Sequence, residues 1–227
     1  MQIAIFGLGK MGMQIAKRLK NNGYEILAWN RSQEPRKEFE EFGGRAFGDV
    51  QSLTLAMSPG QRIFWLMLPH EIVHNFIFGE QGLKLFLKSG DIVIDGGNSF
   101  YKDSVKNALL LKAHNIHFFD AGVSGGVWGE KNGFALMAGG PKEQWSQIEP
   151  IMKALSSGEN YGLVGESGAG HFVKMVHNGI EYGMMEAIAE GYAVLEASHF
   201  KPNLKQVTKI YKEGTVIRSW LIDLMQN

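Results

Sequence analysis

Four side chains that can donate, accept or hold protons stand at helical spacing in one largely apolar segment of the chain. At positions i, i+3, i+4 and i+7 they are Lys174, His177, Asn178 and Glu181. Since an α-helix advances about 100° per residue, the four fall within one arc of its surface, with Tyr182 at the edge of that arc. A lysine and a glutamate so placed could serve as a general base and a general acid.

The surroundings of this polar stripe decide how it should be interpreted. A solvated face is the ordinary explanation of a Lys/Glu pair at helical spacing. From Gly168 to Phe200, however, the segment has few residues typical of a solvated surface, and its glycines permit close approach of other backbones. We therefore expect most of this helix to lie in the core, where a lysine and a glutamate must be paired, hydrogen-bonded or functional.

A glycine-rich turn near the start of the chain could bind phosphates. The run Gly7-Leu8-Gly9-Lys10-Met11-Gly12 follows an apolar segment and opens a helical pattern. In such a G-x-G-x-x-G turn the first glycine permits the tight turn, the second lets the backbone approach a pyrophosphate, and the third allows close helix packing. The amino terminus of the helix then faces the phosphates. A turn without a ligand is the alternative, but the strand before it and the second strand at the expected distance favour a dinucleotide site.

The residues after the second predicted strand indicate which dinucleotide binds. Proteins that bind NAD place an acidic residue there for the ribose 2′-hydroxyl, whereas this chain has Asn30, Arg31 and Ser32. Arg31 can pair with a 2′-phosphate, and the other two side chains can donate hydrogen bonds to it. We therefore predict NADP as the cofactor, with NAD the weaker ligand. The residues expected to contact it are Gly7, Leu8, Gly9, Met11, Gly12, Asn30, Arg31, Ser32, Leu68 and Asn98.

Composition limits the other classes of partner. The chain has 227 residues with 23 basic and 23 acidic side chains, and no basic stripe of the kind that binds nucleic acid or an anionic membrane. The absence of cysteine excludes a disulfide scaffold and thiolate chemistry, and the histidines lack the spacing of zinc ligands, so we expect no metal. The first residues run into a strand pattern without a basic leader, and no apolar run reaches the ~20 residues that span a bilayer. We expect a cytoplasmic protein.

Short apolar segments alternate with helical patterns along most of the chain. The predicted strands are residues 3–6, 26–29, 63–68, 92–95 and 116–120, and the predicted helices are residues 11–21, 34–42, 49–57, 71–87 and 99–113. This alternation is typical of an α/β fold with a doubly wound, mostly parallel Rossmann-type sheet. Two further strands at 133–138 and 160–163, with a helix at 142–155 between them, extend the sheet.

After residue 170 the pattern is purely helical. A long helix comes first, Pro202 interrupts the pattern, and a further helix is predicted at residues 204–225. We therefore predict two domains: an NADP-binding Rossmann domain at residues 1–167, and an incomplete helical domain for substrate binding and dimerisation at residues 168–227.

Two more glycine-rich loops follow strand ends, at residues 95–101 and 120–129. Ligands of an open parallel sheet lie beyond the carboxyl ends of its strands, so both loops should converge on the crevice that holds the nicotinamide. Together with the helix that carries Lys174, these loops resemble the decarboxylating 6-phosphogluconate dehydrogenases, within the wider β-hydroxyacid dehydrogenase group. The Val-Trp-Gly of the second loop is similar to the short-chain branch. The resemblance covers essentially the whole chain, and it is most specific at residues 95–99, 123–129, 133–140 and 171–185.

The resemblance implies NADP-dependent oxidative decarboxylation of 6-phosphogluconate to ribulose 5-phosphate, a step of gluconate metabolism and the pentose phosphate pathway. Matching the family's motifs implies Lys174 as the base that takes the C3 hydroxyl proton and Glu181 as the acid that protonates C1 of the enediol after carbon dioxide leaves. A lysine can be such a base only where desolvation or a nearby positive charge lowers its pKa, and a glutamic acid can donate only where burial raises its pKa. The residues implied to bind substrate are Asn98, Ser124, Gly125, Gly126, His177, Asn178 and Tyr182, the last at the phosphate.

The chain differs from that family in length. Family members continue through helices that carry a basic, threonine-containing phosphate-binding stretch, and the tail of a partner subunit often completes the site. Nothing after Pro202 matches that stretch. We therefore expect a chain without its C-terminal part, either a fragment or a form with incomplete substrate binding, in a homo-oligomer that is a dimer or a tetramer. Two alternatives stay open: a dehydrogenase of another β-hydroxyacid, and a non-catalytic NADP-binding or dimerisation module.

Overall fold

An eight-stranded sheet forms the centre of the computed structural model, which describes residues 1–225. The strands are β1 (Gln2–Phe6), β2 (Glu25–Trp29), β3 (Arg45–Phe47), β4 (Ile63–Leu66), β5 (Ile92–Asp95), β6 (His117–Ser124), β7 (Phe134–Gly139) and β8 (Ser156–Gly165). Their order is β3-β2-β1-β4-β5-β6-β7-β8, and all neighbours run parallel except β6 and β7. Because the chain first builds outward from β1 to β3 and then returns to place β4 on the other side of β1, a ligand crevice is expected at the carboxyl ends of β1 and β4.

Helices connect the strands and continue beyond the sheet. The α-helices are α1 (Lys10–Asn21), α2 (Gln33–Glu41), α3 (Val50–Ala56), α4 (His70–Phe78), α5 (Tyr101–Lys112), α6 (Gly129–Asn132), α7 (Trp145–Leu155), α8 (Ala169–Ala197), α9 (Leu204–Lys212) and α10 (Trp220–Leu224). Single turns of 3₁₀-helix lie at Leu83–Phe86, Gly126–Trp128 and Lys142–Gln144. The predicted fold class, a mostly parallel Rossmann-type sheet followed by a long helix, is confirmed.

The core has one layer on each face of the sheet. Successive strand residues point to opposite faces, so Ile3 and Ile5 of β1 belong to one apolar cluster and Ala4 and Phe6 belong to the other. The first cluster is completed by residues of α1, α2 and α7, and the second by residues of α3, α4 and α5. Burial on both faces explains why β1, β4 and β5 consist almost entirely of apolar residues.

The chain divides into two compact units, the first at Met1–Lys174 and the second from Met175 onward. In the second unit the Tyr192 hydroxyl and Thr208 Oγ1 are 2.7 Å apart, which ties α8 to α9. Asn203 caps α9 by accepting from the Gln206 N–H, and Ser219 caps α10 by accepting from the Ile222 N–H. The domain boundary near residue 167 stays a prediction.

Three details of the predicted elements were wrong. The helix predicted at residues 71–87 is α4 followed by the separate turn Leu83–Phe86, because α4 ends at its C-cap Gly79, whose backbone is extended at φ −62° and ψ 173°. The helix predicted at 204–225 is divided into α9 and α10, with Gly214 at φ +79° between them. The edge strand β3 was not predicted, since three residues give too short an alternation to recognise.

The expected burial of α8 was also wrong. Among its residues only Gly170 and His171 are buried, while apolar side chains further along, including Met175 and Ile180 at 45% and 60%, are exposed. An apolar composition leads to burial only where another surface covers the helix, and among the residues of α8 only Gly170 and His171 are buried. No helix in this described part is long and apolar enough to cross a membrane.

Candidate functional site

The glycine-rich turn between β1 and α1 has the form expected of a phosphate-binding loop. A Cβ at Gly7, where φ is +102°, would meet the Met67 carbonyl oxygen, and a Cβ at Gly12 would meet the backbone of Gly7. These two glycines are therefore required by the protein's own packing. A Cβ at Gly9 would meet no atom within 4 Å, although Gly9 is the N-cap of α1. The open space at Gly9 is suited to a ligand's approach, so the residues present fit a dinucleotide.

The side chain of Asn30 fixes the end of β2 to this turn. Its Oδ1 accepts a hydrogen bond from the Leu8 N–H at 2.9 Å, and its Nδ2 donates to the Ser32 carbonyl at 3.2 Å. Both polar atoms of the amide are thus engaged with backbone. Asn30 shapes the loop, and exposed Arg31 and Ser32 are left to face solvent or a ligand.

A second guanidinium lies at the same turn. The Nε of Arg36 donates to the Ser32 carbonyl at 3.2 Å, and the absence of a side chain at Gly48 leaves room for its guanidinium. The sequence analysis did not single out Arg36. The available signal was its position four residues after Ser32, one helical turn along α2.

The loop after β5 is held by the Asp95 carboxylate. Asp95 is fully buried, and its two oxygens accept from the Gly97 N–H at 3.0 Å and the Ser99 hydroxyl at 2.7 Å. Burial raises the pKa of Asp95, and His171, Ser99 and Gly97 offset part of that rise. A Cβ at Gly97 would lie 2.7 Å from the carbonyl oxygen of buried Leu68, so the loop after β5 lies against the loop after β4. The next residue, Asn98, is exposed.

The loop after β6 follows a glycine pair in conformations that other residues rarely adopt. Gly125 and Gly126 have φ of +151° and +55°, and the loop continues into the turn Gly126–Trp128. Ser124 is half-buried at the end of the strand. The turn lies at the carboxyl end of β6, beyond which the ligands of an open sheet bind.

Lys174 lies against the same strand. A Cβ at Gly122 would collide with the Cβ of Lys174 and would lie 3.0 Å from the Gly170 carbonyl oxygen. Gly122 precedes Ser124 by two residues on β6. The Cβ of Lys174 therefore lies beside the strand that leads into the Ser124 loop. The lysine is half-buried.

The Asp120 carboxylate joins β6 to the start of α8. It is fully buried and accepts from the backbone N–H groups of Gly168 and His171. Burial raises the pKa of Asp120 and Asp95 adds to the rise, whereas the two N–H donors and His171 lower it. His171 is buried as well, with Nδ1 2.7 Å from Ser104 Oγ. Sequence reasoning missed these roles of Asp120 and His171, since the pattern does not show that either is buried.

The other predicted residues of α8 belong to the second unit. His177 Nδ1 is 3.3 Å from Asn178 Oδ1 and 3.7 Å from Glu181 Oε2, so these three side chains meet on one side of the helix. The side chain of Glu181 is 43% exposed and Tyr182 is 69% exposed. The burial that was expected to favour an acid role for Glu181 is therefore not found in this chain. Within residues 1–225 no group of histidine and carboxylate side chains could hold a metal ion.

Comparison with known proteins adds to this geometry. A family profile described as the NAD binding domain of 6-phosphogluconate dehydrogenase matches residues 2–165, and one described as the 6-phosphogluconate dehydrogenase C-terminal domain matches residues 170–226. The chain belongs to the 6-phosphogluconate dehydrogenase family. The predicted family is thereby confirmed, and the first unit contains an NAD(P)-binding domain.

Relatives of this family differ in cofactor and in length. The chain is 36% identical to the NAD(+)-dependent, decarboxylating 6-phosphogluconate dehydrogenase of Haloferax volcanii, covering 100% of this chain and 74% of that protein. It is 35% identical to the decarboxylating enzyme of Escherichia coli, of which it spans 50%. A structure of the Plasmodium falciparum 6-phosphogluconate dehydrogenase, described in apo form and with NADP+ or 6-phosphogluconate, matches with a TM-score of 0.91, 29% identity, 100% of this chain and 50% of the other. The chain thus spans about half the length of the latter two.

Proposed function

We propose that this chain carries the catalytic groups for NADP-dependent oxidative decarboxylation of 6-phosphogluconate to ribulose 5-phosphate. The observation that carries the proposal is the placement of Lys174 against Gly122, beside the strand that leads into the Ser124 loop. Because Gly122 has no side chain, Lys174 can pack against β6 near its carboxyl end, where ligands of this fold bind. Membership of the family supports this choice of reaction.

The proposed chemistry assigns the proton transfers to two side chains. Lys174 Nζ takes the proton from the C3 hydroxyl of the sugar acid while the hydride on C3 leaves, so that C3 becomes a ketone. When bound, the oxidised nicotinamide accepts the C3 hydride. The C3 carbonyl oxygen, protonated by Lys174, then takes up the electron pair of the C1–C2 bond as carbon dioxide leaves. Glu181 protonates the enediol carbon that was C2 of the sugar acid and becomes C1 of ribulose 5-phosphate, while the C3 hydroxyl returns its proton to Lys174.

Other side chains would bind and orient the two ligands. For the cofactor these are the residues of the glycine-rich turn, with Gly7, Leu8, Gly9, Met11 and Gly12, and also Asn30, Arg31, Ser32, Leu68 and Asn98. For the substrate they are Asn98, Ser124, Gly125, Gly126, His177 and Asn178, with Tyr182 toward the phosphate.

The preference for NADP over NAD rests on charge. The turn after β2 carries Arg31 and has no carboxylate among Asn30, Arg31 and Ser32, and Arg36 of α2 donates to this turn at the Ser32 carbonyl. A carboxylate would repel a 2′-phosphate, whereas guanidinium groups form charge-assisted hydrogen bonds with one.

We also propose that the chain acts as a homo-oligomer. The exposed apolar side chains of Met175, Val176 and Ile180 on α8 support this, since water-exposed apolar surface of this kind is usually covered by a partner. Sedimentation of the purified chain tests it, because a monomer at all working concentrations would contradict the proposal.

A substrate panel tests the proposed reaction. Formation of reduced nicotinamide is followed with 6-phosphogluconate, 3-hydroxyisobutyrate and other hydroxyacids, each with NADP and with NAD. Turnover that is highest with 6-phosphogluconate and NADP supports the proposal. Higher turnover with another hydroxyacid would make that acid the substrate in place of 6-phosphogluconate. Cofactor binding without turnover of any acid would show that the chain is a non-catalytic dinucleotide-binding module.

A further inference from the structure

Four buried polar side chains lie where β5, β6, α5 and α8 meet, and the proposed reaction uses none of them directly. They are Asp95, Ser104, Asp120 and His171, with exposed fractions between 0% and 3%. A buried carboxylate is costly unless hydrogen bonds or charges compensate it. Two such groups side by side, at paired positions of neighbouring strands, therefore call for a physical reason.

The hydrogen bonds distinguish the two carboxylates. Asp95 accepts from one N–H and from the hydroxyl of Ser99, and that hydroxyl can rotate to accept a hydrogen bond from a neutral Asp95. Asp120 accepts from two backbone N–H groups, of Gly168 and His171, and neither group can reverse its direction. The pair is thus compatible with a proton on Asp95 and an ionised Asp120.

Both donors to Asp120 stand at the start of the helix that carries Lys174. The N–H of His171 is bound at 2.7 Å, and Lys174 follows His171 by three residues, which is nearly one helical turn. The carboxylate also lies at the amino end of the helix dipole, where a negative charge is stabilising. An ionised Asp120 would therefore hold the first turn of α8 by its charge as well as by its hydrogen bonds.

The packing around this turn leaves little room for movement. A Cβ at Gly170 would collide with the carbonyl oxygens of Asp120 and Met137, and a Cβ at Gly139 would lie 2.6 Å from the Glu166 carbonyl oxygen. The backbone at the start of α8 thus rests directly on β6 and β7. A displacement of this turn would move Lys174 relative to Gly122.

We propose that Asp120 is a positioning residue for Lys174: its ionised carboxylate holds the first turn of α8 on β6 and so sets where the lysine amine meets the substrate. The inference rests on the proposed function in one respect, that Lys174 is the base. The buried ring of His171 adds a second attachment, through Ser104 of α5.

Asp120→Asn is the decisive variant, because an amide keeps the shape but can accept only one of the two N–H groups well. Asp49→Asn is the matched control. Asp49 caps α3 by accepting from the Ser52 N–H at 2.7 Å, so the same substitution removes a carboxylate from the amino end of a different helix. In Asp120→Asn we expect kcat to fall about tenfold or more, since a small misplacement of a reacting group has large kinetic cost. The KM for NADP and the fold should be preserved, and Asp49→Asn should keep the wild-type kcat.

A second readout does not depend on turnover. The rate at which acetic anhydride acetylates Lys174, measured by mass spectrometry against exposed Lys106 as internal reference, should rise severalfold in Asp120→Asn and stay unchanged in Asp49→Asn. If the wild-type chain oxidises no hydroxyacid, the proposed function fails while this measurement still decides the role of Asp120. Wild-type acetylation of Lys174 in folded Asp120→Asn would overturn the inference.

Asp120→Ser serves if the amide variant does not fold, since a hydroxyl is smaller and can accept one N–H. The same rise in Lys174 acetylation is expected. If neither variant folds while Asp49→Asn does, Asp120 is a residue of the folding core and the proposed positioning role is rejected.

Discussion

At the scale of single residues, Lys174 is the side chain on which the proposed chemistry depends. Replacing it with alanine removes the base, so turnover of 6-phosphogluconate should fall about 10²–10⁴-fold, the usual contribution of general base catalysis. The affinity for NADP, measured by fluorescence titration, should not change, because the dinucleotide turn lies elsewhere on the sheet. Lys106→Ala, an exposed lysine of α5, is the control. Turnover of Lys174→Ala close to that of wild type would remove this lysine from the mechanism.

Arg31 is the residue on which the choice of cofactor should depend. A charge-assisted hydrogen bond contributes about 1.5–3 kcal/mol, so Arg31→Ala should weaken NADP binding roughly 10- to 100-fold. The affinity for NAD, which lacks the 2′-phosphate, should stay the same. Arg45→Ala is a suitable control, because Arg45 is exposed on β3 and pairs with Glu25. Equal losses for both cofactors would show that Arg31 acts on the fold of the turn instead of the phosphate.

Asp95 should give the stability of the chain an unusual dependence on pH. Burial raises its pKa in the folded state, so the folded chain binds this proton more tightly than the unfolded chain does. The resulting stabilisation is complete below the unfolded-state pKa of about 3.9 and is lost as pH rises through the folded-state value. The amide of Asp95→Asn can still form hydrogen bonds with the Gly97 N–H and the Ser99 hydroxyl, but it does not titrate. The free energy of unfolding of wild type relative to this variant should therefore fall as pH rises.

Asp49 supplies a control of opposite sign for that titration. Hydrogen bonds from Ser52 lower the pKa of exposed Asp49, so its stabilisation is present above the unfolded-state pKa and is lost as pH falls through the folded-state value. Urea unfolding of wild type, Asp95→Asn and Asp49→Asn over the same pH series separates the two effects. If the difference between wild type and Asp95→Asn did not vary with pH, the buried carboxyl would not titrate in this range.

The residues that could be predicted from the sequence were those whose chemistry is visible in the side-chain type. A lysine in a family motif and an arginine after the second strand can be identified by type and position alone. Asp95 and Asp120 were recognised only as the first residues of glycine-rich loops, because burial and hydrogen-bond direction depend on the packed structure. Gly122 gave no signal at all, since only the packed helix shows that Lys174 needs its missing Cβ.

At the scale of elements, the glycine-rich turn allows ligand contacts to be separated from packing. A Cβ at Gly9 meets no atom, and its φ of −67° is accessible to alanine, so Gly9→Ala should keep its thermal stability. The added methyl would occupy the approach of the pyrophosphate, and NADP affinity should fall. Gly12→Ala should instead destabilise the fold, by about 1–3 kcal/mol or more, because its Cβ meets the Gly7 backbone. Unchanged NADP affinity in Gly9→Ala would mean that the dinucleotide lies elsewhere.

Local sequence patterns specified the elements better than their ends or their surroundings. β1, β4 and β5 were predictable because burial on both faces demands a continuous apolar run. The breaks after α4 and after α9 coincide with extended Gly79 and left-handed Gly214, whose backbone conformations the sequence pattern does not show. The exposure of α8 could not be inferred from its composition, because an apolar helix looks the same whether or not another surface covers it.

At the scale of the whole molecule, the question is how much of the family's function a chain of this length retains. The dinucleotide turn and its supporting sheet lie within Met1–Lys174, a compact unit with apolar layers on both faces. Cofactor binding should therefore not require the further length that the E. coli relative has. A ligand that binds only the folded state at 100 times its Kd stabilises by about 2.7 kcal/mol. NADP at that concentration should raise the melting temperature of wild type and of Lys174→Ala equally, and that of Gly9→Ala much less.

Adding 6-phosphogluconate to the same melts separates binding from catalysis. A further rise with NADP already present would show that the chain also binds the sugar acid, and turnover in the substrate panel would then test the lysine and the glutamate directly. If NADP stabilises the chain and 6-phosphogluconate neither stabilises it nor is oxidised, the chain retains the cofactor function alone. No shift with either dinucleotide would contradict the assignment of the turn, since a phosphate-binding loop on a folded sheet should bind by itself.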